Sequence, residues 1–268
     1  MNYTNFTYAD LLDDICKNGE LVQTRNATTL RKTGLVAEFN CLPLVSTRNT
    51  AWKMALIEWG WMSSGKEKCP DKLLPWWDNQ LNSDNEYLLG YGSQLRRFGD
   101  NNFDQIEWLI KELQAHPNSR RLITTTWNPE EMRRITEVNN NPNTPTTCHG
   151  TFSQYFVSNG KLHLLTVQRS ADMLLGVPHN WVQYWAYLTW LAHRTGYKVG
   201  TMKWVFGDAH IYQEESHIQC AKEIIQNSFP NPQIDFIYSP TSKEFKASDF
   251  TISGTINKPK VLIRPKLL

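Results

Sequence analysis

Cys148 and His149 lie in the run Thr-Pro-Thr-Thr-Cys-His-Gly at 144–150, and the stretch Gln168-Arg169-Ser170-Ala171-Asp172 follows further on. This pairing offers a nucleophilic thiol with a strong cation available to it. A thiol attacks only as thiolate, and nearby positive charge lowers its pKa. Arginine is always charged, and its planar fork suits phosphate oxygens. A thiol with an anion clamp points to covalent catalysis on a phosphorylated substrate. The competing reading is a half-buried structural cysteine beside a satisfied histidine.

Other residues carry a chemical and a structural reading side by side. Arg120-Arg121 follow a Pro-Asn-Ser turn, as an anion contact or a solvated pair. Asn180 comes after Gly176-Val177-Pro178-His179. It either caps a helix or reads one edge of a planar ring as donor and acceptor together. His210 and Tyr212 share one strand face, suiting sugar hydroxyls or a core edge. Glu58 lies in an apolar helix between Ile57 and Trp59. A carboxyl there is expensive to bury without partners, so it belongs to a structural network or handles a proton.

The bulk numbers narrow the class. The chain has 268 residues, 40% of them hydrophobic, enough for one large α/β or α+β domain or two small ones. A net charge of +2 is too small to suggest a nucleic-acid or membrane-surface partner. The five cysteines are scattered, odd in number and without a CxxC pair, which argues for a reducing compartment and against a disulfide framework or zinc cluster. The seven histidines show no metal-ligand spacing. Met1–Phe6 lacks the basic and apolar regions of a signal peptide, and no apolar run is long enough to span a bilayer. The expectation is a cytoplasmic protein with no metal. A P-loop, GxGxxG, GxSxG and HExxH are all absent.

These residues need elements to hold them. Helical spacing predicts helices over 6–18, about 50–62, 103–115 and 216–227. Trp181–Thr195 is apolar nearly all round, which predicts a buried central helix. Strand patterns fall at 21–22, 35–39, 121–127 and 203–206. Residues 151–157 and 162–167 flank Ser158-Asn159-Gly160 as a hairpin. Residues 66–90 read as a loop-rich excursion. No repeat or linker divides the chain, so one domain over 1–268 is expected.

Taken together the motifs resemble the thymidylate synthase family over about 42–250. The carriers are Thr147-Cys148-His149 before Gln154-Tyr155-Phe156-Val157, and the full Gln-Arg-Ser-X-Asp-X-X-X-Gly-X-Pro-X-Asn pattern from Gln168 to Asn180. Gly207-Asp208-X-His210-X-Tyr212, Ser119-Arg120-Arg121 with Trp127-Asn128, and Trp77-Asp78 before Tyr91-Gly92 complete the set. The resemblance implies an α+β fold with a mixed β-sheet packed by helices, one sheet face forming a homodimer interface. It implies that Cys148 adds to C6 of dUMP and that C5 then takes a one-carbon unit from 5,10-methylenetetrahydrofolate.

The implied roles run residue by residue. Gln168, Arg169 and Ser170, with Arg120 and Arg121 from the partner subunit, hold the nucleotide and its phosphate. Arg25 is preferred over Arg31 as a further phosphate contact. His210 and Tyr212 bind the deoxyribose. Asn180 reads uracil N3–H and O4, where relatives acting on cytosine carry Asp. Glu58 and His149 manage protons near O4, and Tyr91 helps remove the C5 proton. Trp77, Asp172, Gly176 and His179 face the folate.

Several positions depart from the family pattern. The Gly-rich phosphate loop is replaced by Arg25-Asn26-Ala27-Thr28-Thr29-Leu30-Arg31. Gln80 stands for a Trp, His179 for a Phe and Arg48 for a Lys, and the chain ends Ile263-Arg264-Pro265-Lys266-Leu267-Leu268. The changes gather on the folate and lid side. Polar groups there suit entry of water, which a synthase excludes. The favoured expectation is a dUMP hydroxymethylase making 5-hydroxymethyl-dUMP, a type associated with bacteriophages and the cytoplasm of infected hosts. The alternatives are a synthase making dTMP and dihydrofolate, or a non-catalytic nucleotide- or RNA-binding relative.

Overall fold

The apolar run ending at Thr195 forms the longest helix among the described residues, Val177–Thr195. Pro178 sits in its first turn, where its missing N–H costs nothing. Gly196 ends it at φ 81°, a left-handed conformation that glycine adopts without strain. Trp181, Val182, Ala186, Leu188 and Leu191 are all buried, which accounts for a helix apolar on nearly every side. The computed structural model describes residues 8–24, 27–144, 152–227, 234–254, 256, 261 and 265.

In chain order the helices are α1 (Tyr8–Asn18), α2 (Trp52–Ser64), α3 (Leu74–Trp77), α4 (Tyr91–Arg96), α5 (Gln105–Ala115), α6 (Ile135–Val138), α7 (Val177–Thr195) and α8 (Glu215–Gln226). The strands are β1 (Glu20–Gln23), β2 (Thr28–Thr33), β3 (Val36–Phe39), β4 (Ile123–Thr124), β5 (Phe152–Ser158), β6 (Lys161–Asp172), β7 (Lys198–Tyr212), β8 (Ile234–Tyr238) and β9 (Phe250–Gly254). The main sheet runs β1-β2-β7-β6-β5-β4, with β3 also paired to β7, and β8-β9 form a separate ribbon. Among the described strands only β6 and β7 pair in parallel, joined through α7, so the sheet is mixed as expected. This is an α+β fold.

β6 and β7 position the polar residues of interest. Leu162, Leu164, Thr166 and Gln168 are buried on β6, and Met202, Trp204 and Phe206 on β7. The alternation then changes phase in both strands, and the next buried residues are Ala171 and Ala209. The change falls where Ser170 pairs with Asp208. Gly207 permits the close approach there, since a Cβ would stand 2.8 Å from the Arg169 carbonyl oxygen. That break explains why period-two reading stops at Phe206 although β7 continues to Tyr212.

Two other expectations need correction, and a third gains detail. The span 121–127 contributes only Ile123–Thr124 to the sheet. Side chains satisfy the following backbone instead: Gln105 accepts from Thr125 N at 2.8 Å and donates to Thr125 O at 2.7 Å, and Thr125 Oγ1 accepts from Trp127 N at 3.1 Å. The 66–90 excursion is loop-rich as expected, and Leu74–Trp77 form a short helix in it between two 3-10 turns. The helix from about 50 starts at Trp52 and runs to Ser64, where Gly65 at φ 74° stops it.

The sheet's outer face is half-buried and partly apolar. Val36, Val205, Val167 and Phe152 stand side by side across β3, β7, β6 and β5. In the next row Lys203 pairs with Glu38 at 3.3 Å.

Candidate active site

Glu58 is buried in the middle of α2 with two donors on its carboxyl. The Trp77 indole N–H donates to Oε1 at 2.5 Å and the Gln183 amide to Oε2 at 2.5 Å. Burial pushes its pKa up to about 7, against the lowering effect of those two bonds. A carboxyl titrating near neutrality suits proton transfer at working pH. Tyr91 is also buried, its ring 6.0 Å from that of Trp77.

α7 delivers Asn180 to the same buried cluster. Asn180 Oδ1 accepts from Gln168 Nε2 at 3.0 Å, and Nδ2 donates to Gln183 Oε1 at 3.2 Å. Gln168 in turn accepts from the Trp204 indole at 2.9 Å. The helix-cap reading of Asn180 fails, because Gly176 holds the cap position and Asn180 lies inside α7, its side chain bonded to Gln168 and Gln183.

Asp172 ends β6 and accepts from Leu174 N and Leu175 N at 2.9 and 3.0 Å, so its carboxylate is held firmly. One turn of chain later, His179 Nδ1 bonds the Leu175 carbonyl at 2.8 Å. A carbonyl can only accept, so Nδ1 carries the proton and Nε2 is a bare acceptor. That Nε2 is buried with no hydrogen-bond partner among the described residues. Burial lowers the His179 pKa to about 4, keeping the ring neutral. The Trp76 ring lies 5.0 Å from it. Arg48 donates to the Leu174 carbonyl and contributes positive charge beside His179. A half-buried indole, an orphan acceptor and a fixed carboxylate fit a planar heterocycle bearing N–H groups.

The phosphate and sugar candidates sit on neighbouring strands. Arg169 is exposed on β6, its guanidinium 4.9 Å from the Trp127 ring. Ser170 pairs with Asp208, and Asp172 with His210, across β6 and β7. His210 Nδ1 bonds Asp208 Oδ1 at 2.9 Å, which fixes its ring, and that bond holds the Asp208 carboxyl below its usual range. His210 and Tyr212 do share a face, with ring centroids 5.1 Å apart. Arg31, opposite His210 on β2, reaches Asp208 and Glu20 at 3.5 Å each. Arg120 and Arg121 are exposed in the turn before β4.

Cys148, His149 and Arg25 lie outside the described residues. The other four cysteines are free thiols, and burial pushes each of their pKa values up, Cys69 to about 11. None of those four is an activated thiolate. No cluster of metal-ligating side chains occurs among the described residues, and no helix there is long and apolar enough to cross a membrane.

Sequence reasoning missed Gln183, Trp204, Trp76 and Asp208 as contributors. For Gln183 a signal existed. It is a polar residue three positions after Asn180 in a helix otherwise buried and apolar, and such pairs face each other.

The thymidylate synthase family model matches residues 6–265. Three curated relatives are each 31% identical to the chain over 287 residues. They are the bifunctional dihydrofolate reductase-thymidylate synthase 1 of Arabidopsis thaliana, the bifunctional dihydrofolate reductase-thymidylate synthase of Zea mays, and the bifunctional enzyme 2 of Arabidopsis thaliana. The match covers 94% of this chain in each case, and 53%, 52% and 48% of the respective relatives. The chain thus spans about half the length of the curated relatives it matches.

Proposed function

The chain belongs to the thymidylate synthase family, and from that premise we propose that residues 1–268 act as one catalytic domain transferring a one-carbon unit to C5 of dUMP. The family's co-substrate is 5,10-methylenetetrahydrofolate, which supplies the carbon at the formaldehyde oxidation level. The observation that carries the reading is the buried cluster of Glu58 and Asn180, a proton-handling carboxyl wired to an amide that can match uracil.

In this reading the Cys148 thiolate bonds to C6, and the C5–C6 π electrons move onto O4. Glu58, with His149, manages the proton at O4, and Asn180 holds N3–H and O4. C5 then bonds the incoming carbon. Loss of the C5 proton, assisted by Tyr91, together with cleavage of the bond from that carbon to the folate nitrogen, expels tetrahydrofolate and leaves an exocyclic methylene. Arg169 and Ser170, with Gln168 behind them, hold the 5′-phosphate end, joined by Arg25 and by Arg120 and Arg121 of a second copy. His210 and Tyr212 hold the sugar. Asp172, Trp77, Gly176 and His179 form the folate side. The half-buried row Val36, Val205, Val167 and Phe152 serves as part of the homodimer interface.

The last step decides the product. If water adds to the methylene and the electrons return to expel Cys148, dUMP, methylenetetrahydrofolate and water become 5-hydroxymethyl-dUMP and tetrahydrofolate. The orphan Nε2 of His179 supports this outcome, since a buried acceptor calls for a hydrogen-bonding partner such as water. Hydride delivery from tetrahydrofolate instead gives dTMP and dihydrofolate, a reading favoured by the relatives' printed names.

The test is one incubation of the full chain with dUMP and methylenetetrahydrofolate, with the nucleotide product weighed. A hydroxymethylated product without dihydrofolate absorbance is expected. A methylated product with dihydrofolate assigns the synthase step. No C5 product of either kind overturns the enzyme reading.

A further inference from the structure

Six buried side chains form one directed hydrogen-bond chain. An indole N–H only donates. The Trp204 indole therefore fixes Gln168 Oε1 as acceptor at 2.9 Å, leaving Gln168 Nε2 to donate to Asn180 Oδ1 at 3.0 Å. Asn180 Nδ2 donates to Gln183 Oε1 at 3.2 Å, and Gln183 Nε2 donates to Glu58 Oε2 at 2.5 Å and to the Ala55 carbonyl at 3.2 Å. A second donor-only group, the Trp77 indole, reaches Glu58 Oε1 at 2.5 Å. All six residues are at most 7% exposed. Each amide is thus oriented by its neighbours, with a donor-only indole at one end and a carboxylate at the other.

We propose that Gln183 is a positioning residue that ties the polarity of the Asn180 amide to the ionisation of Glu58, so that choice of base and state of the carboxyl are coupled. The inference rests on the reading that Asn180 faces the pyrimidine. Uracil offers a donor at N3 and an acceptor at O4, whereas cytosine offers the reverse. An asparagine can match either by turning its amide over. Here a turned Asn180 sets Nδ2 against Gln168 Nε2 and Oδ1 against Gln183 Oε1. Turning Gln168 to compensate brings its NH2 against the Trp204 N–H. Turning Gln183 brings its oxygen against an ionised Glu58 and against the Ala55 carbonyl oxygen. Buried like-to-like contacts of this kind leave hydrogen-bonding groups unsatisfied.

The two ends differ in one respect. The Trp204 end is fixed at every pH. The Glu58 end is fixed most firmly while the carboxyl is ionised, because a protonated Glu58 can donate to a turned Gln183, whereas the Ala55 carbonyl opposes that turn at every pH. From outside α2, the Cys69 thiol also interacts with Glu58. Burial holds that thiol at about 11, so it stays neutral while Glu58 titrates. α7 and α3 present the Gln183 amide and the Trp77 indole, neither of which ionises.

The experiment measures dUMP and dCMP binding to the full chain by calorimetry, without folate, from below to above pH 7. In the wild-type protein the preference for dUMP should strengthen as pH rises through that range. Gln183→Leu, close in volume, should lower the preference roughly tenfold and remove its pH dependence. Gln183→Glu keeps an acceptor for Asn180 and should retain more of the preference. Trp204→Phe should lower the preference at every pH. A preference in wild type that does not change with pH overturns the proposal without any variant. A folded Gln183→Leu that keeps both the preference and its pH dependence overturns it as well. If wild type binds neither nucleotide, the uracil reading of Asn180 falls first and takes this proposal with it.

Discussion

The Trp77 indole donates to the Glu58 carboxyl at 2.5 Å inside the core, joining α3 to the middle of α2. An indole can be neither deprotonated nor turned into an acceptor at ordinary pH. It therefore favours the ionised carboxyl, while burial favours the neutral one. Burial wins and leaves Glu58 near 7.

That balance gives a stability prediction. The folded-state pKa lies above the unfolded value of 4.5, so the folded chain binds more protons between pH 4.5 and about 7. Stability from this group is then greatest below pH 4.5, falls as pH rises to about 7, and stays lower above it. The loss is on the order of 3 kcal/mol. Glu58→Gln should remove that part of the pH dependence in urea unfolding curves. An unchanged difference between acid and neutral stability contradicts the placement of Glu58.

Asn180→Asp should weaken dUMP and favour dCMP. Its second oxygen would meet Gln183 Oε1 in place of the present N–H bond at 3.2 Å, which raises the Asp pKa and lets a protonated acid serve cytosine. Competition between the two nucleotides measures the shift. A uracil preference equal to wild type contradicts the role given to Asn180.

His179→Phe replaces the buried orphan nitrogen with carbon and should move product from hydroxymethyl towards methyl. The readout is the mass of the nucleotide together with dihydrofolate formed per turnover. An unchanged product ratio removes His179 from the water-entry account.

Arg169→Ala should weaken dUMP by about 1.5–3 kcal/mol while leaving deoxyuridine, which has no phosphate, little affected. The guanidinium already leans on the Trp127 ring, which limits its freedom before binding. Equal losses for the two ligands contradict a phosphate role.

Much of the fold was legible where pattern and packing agree. α7 is apolar all round because helices, sheet and loops cover it, and its sequence says so. The β5–β6 hairpin announces itself through alternation and Ser158-Asn159-Gly160. β2, Thr-Thr-Leu-Arg-Lys-Thr, did not, because its polar residues line the Asp208–His210 segment of β7 rather than the core. In the site, Glu58 stood out as a carboxyl too costly to bury alone, and the structure supplies its partners. Gln183 and Trp204 escaped notice because each reads as one more buried residue. Their importance lies in the direction of their hydrogen bonds, which no spacing rule encodes. The roles of Cys148, His149 and Arg25 rest on sequence, since those residues lie outside the described part of the structure.

The most direct test follows the proton on C5 of dUMP. The full chain is incubated with dUMP labelled with tritium at C5, with and without methylenetetrahydrofolate, alongside Cys148→Ala. Covalent one-carbon transfer predicts stoichiometric release of tritium to water only with the folate and only with the thiol in place. Release by Cys148→Ala at the wild-type rate, or no release by wild type with both substrates present, would contradict it.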